Sequence, residues 1–168
     1  MKLLVVRHAI AEDREDFAAT GESDDMRPLT RDGKKKMRRI AKGLRNVVDT
    51  IDYLATSPLT RAAETAEIIS DAYGIGGAEV TPVLTPYARP EQFEEWCAQH
   101  FEKEVVAIVG HEPHLGSLVT WLLMGSNDPR IELKKGGACL IEFESQPGRK
   151  SGTCLWLLTP RMLRDLAR

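Results

Sequence analysis

Three short stretches of the chain gather side chains with reactive or anion-binding chemistry. Arg7-His8 follows the apolar run 2–6. Ser57-Pro58 follows the run 51–56, and Arg61 stands three residues beyond the proline. Gly110-His111-Glu112-Pro113-His114 follows the apolar run 105–109. Each run has the length and composition of a buried strand, so each reactive group sits at a strand's carboxyl end. Ligands in open α/β sheets bind in the crevice outside those ends. Parallel, neighbouring strands would bring two imidazoles and two guanidiniums into one crevice. Such a cluster repels itself unless an anion neutralises it. Guanidinium forks match phosphate oxygens two at a time. The helix starts near Ser57 and Glu112 add partial positive charge and unpaired N–H donors. A neutral imidazole nitrogen in that setting is a nucleophile able to accept a phosphoryl group.

The elements that must hold these groups are legible in the pattern. Residues 30–48 place Met37, Ile40, Ala41, Leu44 and Val48 at helical spacing, with Thr30 as N-cap. Residues 51–56 read as a strand, and Ser57-Pro58 reads as an N-cap followed by a first-turn proline. Leu59, Ala62, Ala66, Ile69 and Tyr73 form the inward stripe of the next helix, and Gly74 stops it. A strand over 80–84 is interrupted by Pro82. Helices are predicted over 90–101 and 113–124, with the strand 105–109 between them. Residues 138–144 and 152–158 read as a C-terminal hairpin in which Glu144 pairs with Gly152, Cys139 faces Leu157 and Cys154 faces Glu142. A short helix over 160–167 closes the chain. Alternating strands and helices predict one α/β domain over 1–168, a three-layer sandwich whose mostly parallel central sheet is flanked by helices.

Composition removes other classes. The 168 residues carry 23 Lys plus Arg against 25 Asp plus Glu, a net charge of −2. That balance argues against nucleic-acid binding through bulk positive charge. No apolar run exceeds five residues, far short of a membrane span, and the four apolar residues before Arg7 are too few for a signal-peptide core. Cys97, Cys139 and Cys154 are odd in number and lack CxxC spacing, which fits the reducing cytoplasm.

Leu4-Val5-Val6-Arg7-His8-Ala9, Ser57-Pro58-Leu59-Thr60-Arg61-Ala62-Ala63-Glu64-Thr65-Ala66 and Gly110-His111-Glu112-Pro113-His114-Leu115 together resemble the histidine phosphatase superfamily, with its phosphoglycerate mutase-like fold. The short length and the segment Arg27-Pro28-Leu29-Thr30 look most like its SixA-type phosphohistidine phosphatases. The resemblance implies that His8 is a nucleophile that becomes transiently phosphorylated. It also implies that Arg7 and Arg61 bind phosphate and that His111 supports the transition state. Arg27, Ser57 and Glu112 are further candidate phosphate or substrate contacts. Ala9 stands where much of the superfamily has Gly, with little expected effect unless the backbone there needs a positive φ.

Larger members carry an acidic proton donor in an insertion; here Val83-Leu84-Thr85-Pro86 occupies that neighbourhood without a carboxylate. An alkoxide leaving group needs a general acid. Imidazole, whose conjugate acid has a pKa of about 6.5, needs one less. Phosphohistidine on a signalling protein, such as a phosphotransfer domain, is therefore the expected substrate. A small phosphorylated metabolite is the alternative, with Glu12 or Glu112 supplying the proton. A non-catalytic phosphate-binding module is a third reading. No metal or other cofactor is implied, although phosphate or sulfate would fit the site.

Blander readings apply elsewhere. His111 and His114 have no Cys or HExxH context that would make them a metal pair. His114 is expected to line the pocket or sit on exposed helix surface, and His100 to lie at the surface. Arg31 to Arg39 holds six basic residues in nine, read as a solvated face or a docking patch for an acidic phosphoprotein. Lys134-Lys135 reads as a loop. Trp96, Trp121 and Trp156 read as packing residues.

Overall fold

The computed structural model describes residues 1–167. Its strands are β1 (Lys2–Arg7), β2 (Tyr53–Thr56), β3 (Glu79–Val80), β4 (Val105–Gly110), β5 (Ala138–Phe143) and β6 (Gly152–Leu158). They form one sheet in the order β3-β2-β4-β1-β5-β6. β1 and β2 run parallel to β4, and β3 runs parallel to β2. β5 is antiparallel to β1, and β6 to β5. The three strands that end in reactive residues are therefore adjacent and point the same way.

The helices are α1 (Arg14–Ala18), α2 (Arg31–Arg45), α3 (Thr60–Tyr73), α4 (Pro90–Ala98), α5 (His114–Met124) and α6 (Pro160–Leu166). Successive β1 side chains point to opposite faces, and both faces are covered. Leu4 and Val6 pack with Met37, Ile40, Leu44, Ile69 and Leu163 of α2, α3 and α6. Leu3 and Val5 pack with Phe93, Leu115, Leu118 and Leu122 of α4 and α5. Trp96 and Trp121 are buried in this second core, and Trp156 packs against the first.

Most predicted elements form within a few residues of their expected ends. Thr30 caps α2 by accepting the Gly33 N–H at 2.8 Å, and Gly74 stops α3 in the left-handed region at φ 66°. Four expectations need correction. Ser57 does not cap α3; the helix starts at Thr60 after Leu59, without a side-chain cap. The strand expected over 80–84 ends at Val80, and Pro82, which has no N–H to donate, opens a 3-10 turn over Pro82–Leu84. The hairpin keeps Cys139 opposite Leu157. A bulge between Leu140 and Ile141 then shifts the register, so Cys154 faces Ile141 and Gly152 faces Phe143. His100 is half-buried and stacks on Tyr53 with ring centroids 4.1 Å apart. Among the described residues no helix is long and apolar enough to cross a membrane.

Candidate active site

The carboxyl ends of β1, β2 and β4 open into a cavity of about 850 Å³. Arg7, His8, Arg27, Arg61, His111 and Glu112 all line it. Glu12 lies on its exposed rim.

His8 is 5% exposed, and its Nδ1 lies 2.7 Å from the Ala9 carbonyl oxygen. A carbonyl can only accept, so Nδ1 carries the proton and Nε2 carries the lone pair. Burial holds the imidazole neutral, with a pKa lowered to about 3. The Ala9 bond works against that shift, and the nearby charges of Arg61 and Arg7 reinforce it. The Ala9 N–H is tied to Thr65 Oγ1 at 3.0 Å, and Thr65 donates to the Arg61 carbonyl at 2.7 Å. The loop after the nucleophile is thereby fastened to the first turns of α3. Ala9 is not among the positive-φ residues, so its methyl group is accommodated without backbone strain.

The His111 ring lies 5.1 Å from that of His8, centroid to centroid. Its Nε2 is 2.8 Å from Ser57 Oγ. Ser57 also accepts the Leu59 N–H at 3.3 Å. The Ser57 hydroxyl can donate to Nε2, and in that arrangement the ring proton rests on Nδ1. Burial first, then the neighbouring His8 ring and the charge of Arg61, lower the His111 pKa to about 2. Ser57 is fully buried and lies behind His111, outside the cavity lining.

The guanidiniums are partly committed. Arg7 donates through Nη1 to the Leu133 carbonyl at 2.7 Å. Arg27 donates through Nε to Asp24 Oδ1 and through Nη1 to the Glu12 carbonyl, both at 2.8 Å. Arg61 reaches the Asp24 carbonyl through Nη1 at 2.9 Å and Asp24 Oδ2 through Nη2 at 3.2 Å. Among the described residues, the buried side-chain polar atoms without a partner are Arg7 Nε, Arg61 Nε, His111 Nδ1 and both ring nitrogens of His114. Three of these atoms belong to residues around one cavity. Each unpaired buried polar group costs about 1–3 kcal/mol. Their concentration here marks a site shaped for an anionic acceptor.

Asp24 was not anticipated from sequence. Its carboxylate answers Arg27 and Arg61, so the set of cations has an internal counter-ion. The hydrogen bond from Arg27 comes first among the causes that lower its pKa. Its only sequence signal is its position three residues before Arg27, in a 3-10 turn capped by Ser23. Lys135, a loop residue by its sequence context, lines the same cavity. Glu112 accepts from Leu133 N at 2.9 Å and Gly116 N at 3.1 Å, clipping the segment before β5 to the start of α5. Burial raises its pKa against those two bonds. His114 is 3% exposed and lies outside this cavity; burial lowers its pKa to about 4. No group of three or more His, Cys, Asp or Glu able to hold a metal ion occurs among the described residues.

A parallel-centred α/β sheet with paired histidines and arginines at its strand ends defines a phosphoryl-transfer scaffold. Residues 3–85 match the family model described as histidine phosphatase superfamily, branch 1. The chain belongs to the histidine phosphatase superfamily, and it is a phosphatase. It is 35% identical over 141 residues to an uncharacterised protein of Picosynechococcus sp., covering 82% of each chain. It is 28% identical over 168 residues to the phosphohistidine phosphatase SixA of Escherichia coli, covering 98% of this chain and 97% of that one. The solved structure of the protein histidine phosphatase SixA complexed with tungstate superposes with a TM-score of 0.81 at 26% identity, covering 96% of this chain and 98% of the other.

Proposed function

We propose that the protein hydrolyses phosphohistidine on a signalling protein, such as a phosphotransfer domain, through a phospho-His8 intermediate. Nε2 of neutral His8 bonds to phosphorus as the bond from phosphorus to the substrate's imidazole nitrogen breaks. The leaving ring takes a proton from solvent on its other nitrogen and departs neutral. Arg7, Arg61 and His111 stabilise charge on the equatorial oxygens, which is most of the work in phosphoryl transfer. Arg27, buried in the cavity wall, braces the same group. Water then attacks phospho-His8, releasing inorganic phosphate and restoring the imidazole. Cationic side chains supply the charge in this scheme, and no cofactor takes part. The setting we infer is the cytoplasm, where the three free thiols stay reduced.

The observation that carries the choice of substrate is the state of two carboxylates in the cavity wall, Asp24 and Glu112; Glu12 lies on the exposed rim. Asp24 is held as an anion between two guanidiniums, and both oxygens of Glu112 accept backbone N–H groups. Neither is arranged to protonate an alkoxide, and an imidazole leaving group needs no such acid. The test compares wild type with His8→Ala on a phosphohistidine protein. Wild type should form an acid-labile phosphoenzyme, and the variant should lose both the phosphoenzyme and turnover. Full activity in His8→Ala would sink the assignment.

Hydrolysis of small phosphate esters is the second reading, favoured by the raised pKa of Glu112 at the cavity wall. On that reading Glu112→Gln loses ester hydrolysis by about 100-fold or more while sparing phosphohistidine, since general acids contribute on that scale. Equal modest losses on both substrates would make Glu112 a clip and nothing more.

A further inference from the structure

A second, smaller cleft of about 190 Å³ lies beside the nucleophile's loop. Ala9, Ile10 and Gly33 form its near wall, and Lys36, Lys135 and Arg164 bring three cations to it. Among the described residues its lining contains no carboxylate. Asp32 answers Lys36 at 2.6 Å from outside the cleft. This local excess of positive charge stands on a chain whose net charge is −2.

The walls are held firmly. A Cβ on Gly43 of α2 would fall 1.8 Å from the Leu163 carbonyl oxygen of α6, so the two helices meet backbone to backbone. Arg39 Nε donates to the Arg164 carbonyl at 3.1 Å, and Asn46 Nδ2 to the Leu166 carbonyl at 2.6 Å. Lys135 stands on a turn whose next residue, Gly136, donates its N–H toward the Arg7 and His8 carbonyls at 3.1 Å. Gly136 has φ 78°, and a Cβ there would meet Ile40 Cδ1 at 2.8 Å, so that turn needs glycine. Lys135 is thus fixed to the backbone of the nucleophile itself, and it lines both cavities.

We propose that this cleft is a docking subsite for an acidic side chain of the polypeptide that carries the phosphohistidine, with Lys135 joining it to the phosphoryl pocket. The inference rests on the phosphohistidine-protein reading above. A side chain near the phosphohistidine enters beside α2 and α6 while the phosphoryl group enters between His8 and His111. Rim charges of this kind set encounter and partner choice. A free phosphorylated amino acid has no acidic side chain to place in the cleft, so on this proposal the cleft favours a protein substrate over a metabolite.

The test uses two synthetic phosphohistidine peptides of equal length. One has glutamates two to four residues on either side of the phosphohistidine, and the other has glutamines there. Free phosphohistidine is the third substrate. Wild type should prefer the glutamate peptide by about tenfold in kcat/KM, mostly through KM. The paired variant Lys36→Glu with Arg164→Glu should abolish or invert that preference. Its rate on free phosphohistidine should stay within about twofold of wild type. The milder pair Lys36→Gln with Arg164→Gln serves if the first fails to fold. No preference in wild type, or an unchanged preference in the variants, overturns the proposal. If wild type hydrolyses none of the three substrates, the parent reading fails separately. The cleft is then judged by inhibition of p-nitrophenyl phosphate hydrolysis by the unphosphorylated glutamate peptide. Stronger inhibition of wild type than of the charge-reversed pair supports it, and equal inhibition overturns it.

Discussion

At the scale of single residues, the site depends on where protons rest. His8 would be an ordinary titrating imidazole in water, half-charged near pH 6.5. Burial and two neighbouring guanidiniums keep it neutral, and the Ala9 carbonyl decides which nitrogen stays bare. NMR of the His8 ring nitrogens should therefore show an Nδ1–H tautomer that does not titrate between pH 5 and 8. A midpoint near 6.5 would contradict that arrangement. Ser57 looks from sequence like a helix cap, because a serine before a proline at a strand-to-helix junction usually is one. Its hydroxyl instead serves His111, a partner 54 positions away that no local pattern reveals.

At the scale of elements, the site is held by close backbone approaches. A Cβ on Gly33 would fall 2.1 Å from the Ile10 carbonyl oxygen, so the start of α2 presses on the loop after His8. Gly43 plays the equivalent part between α2 and α6. Alanine at either position should destabilise toward the upper end of about 1–3 kcal/mol. That exceeds the roughly 1 kcal/mol that alanine gains over glycine inside a helix. The two variants should differ in function. Gly33→Ala displaces the loop carrying Ala9 and Ile10, so kcat should fall together with Tm. Gly43→Ala should lower Tm and leave kcat near wild type. Thermal melts with steady-state kinetics on both proteins check this. The hairpin shows the limit of pattern reading at this scale. Alternation gave the correct strands, but the bulge that leaves Leu155 without a partner opposite Leu140 and Ile141 is invisible to it, because one inserted residue breaks the pairing without changing the apolar pattern.

At the scale of the whole molecule, three histidines are buried in neutral form. Burial is the leading cause in each case, holding His8 at about 3, His111 at about 2 and His114 at about 4. Each binds its proton less readily when folded than when unfolded. Stability is therefore complete above the unfolded value of about 6.5 and is lost as the pH falls below it. The slope is about 1.4 kcal/mol per pH unit for each histidine until its folded value is reached. Denaturation in mild acid, well above the carboxylate range, is the expected outcome in equilibrium unfolding followed against pH. His114 has no partner for either ring nitrogen and lines no part of the His8 cavity. His114→Leu should raise Tm and shift the acid midpoint downward while retaining activity. A variant as acid-sensitive as wild type would refute the account.

By itself, the sequence determined the α/β alternation, the order of the principal elements and the four residues His8, Arg7, Arg61 and His111 as the candidate centre. Those features are written in short-range pattern, as apolar runs of strand length, helical spacing and polar residues at strand ends. Only the tertiary structure decided that β2, β4 and β1 lie side by side with their ends together. It also decided that Asp24 stands between Arg27 and Arg61, that Glu112 clips Leu133, and that Lys135 is shared by two cavities. Those are contacts between residues distant in sequence or set by loop conformation. Their energies depend on burial and separation in space, and neither quantity is encoded in the spacing of residues along the chain.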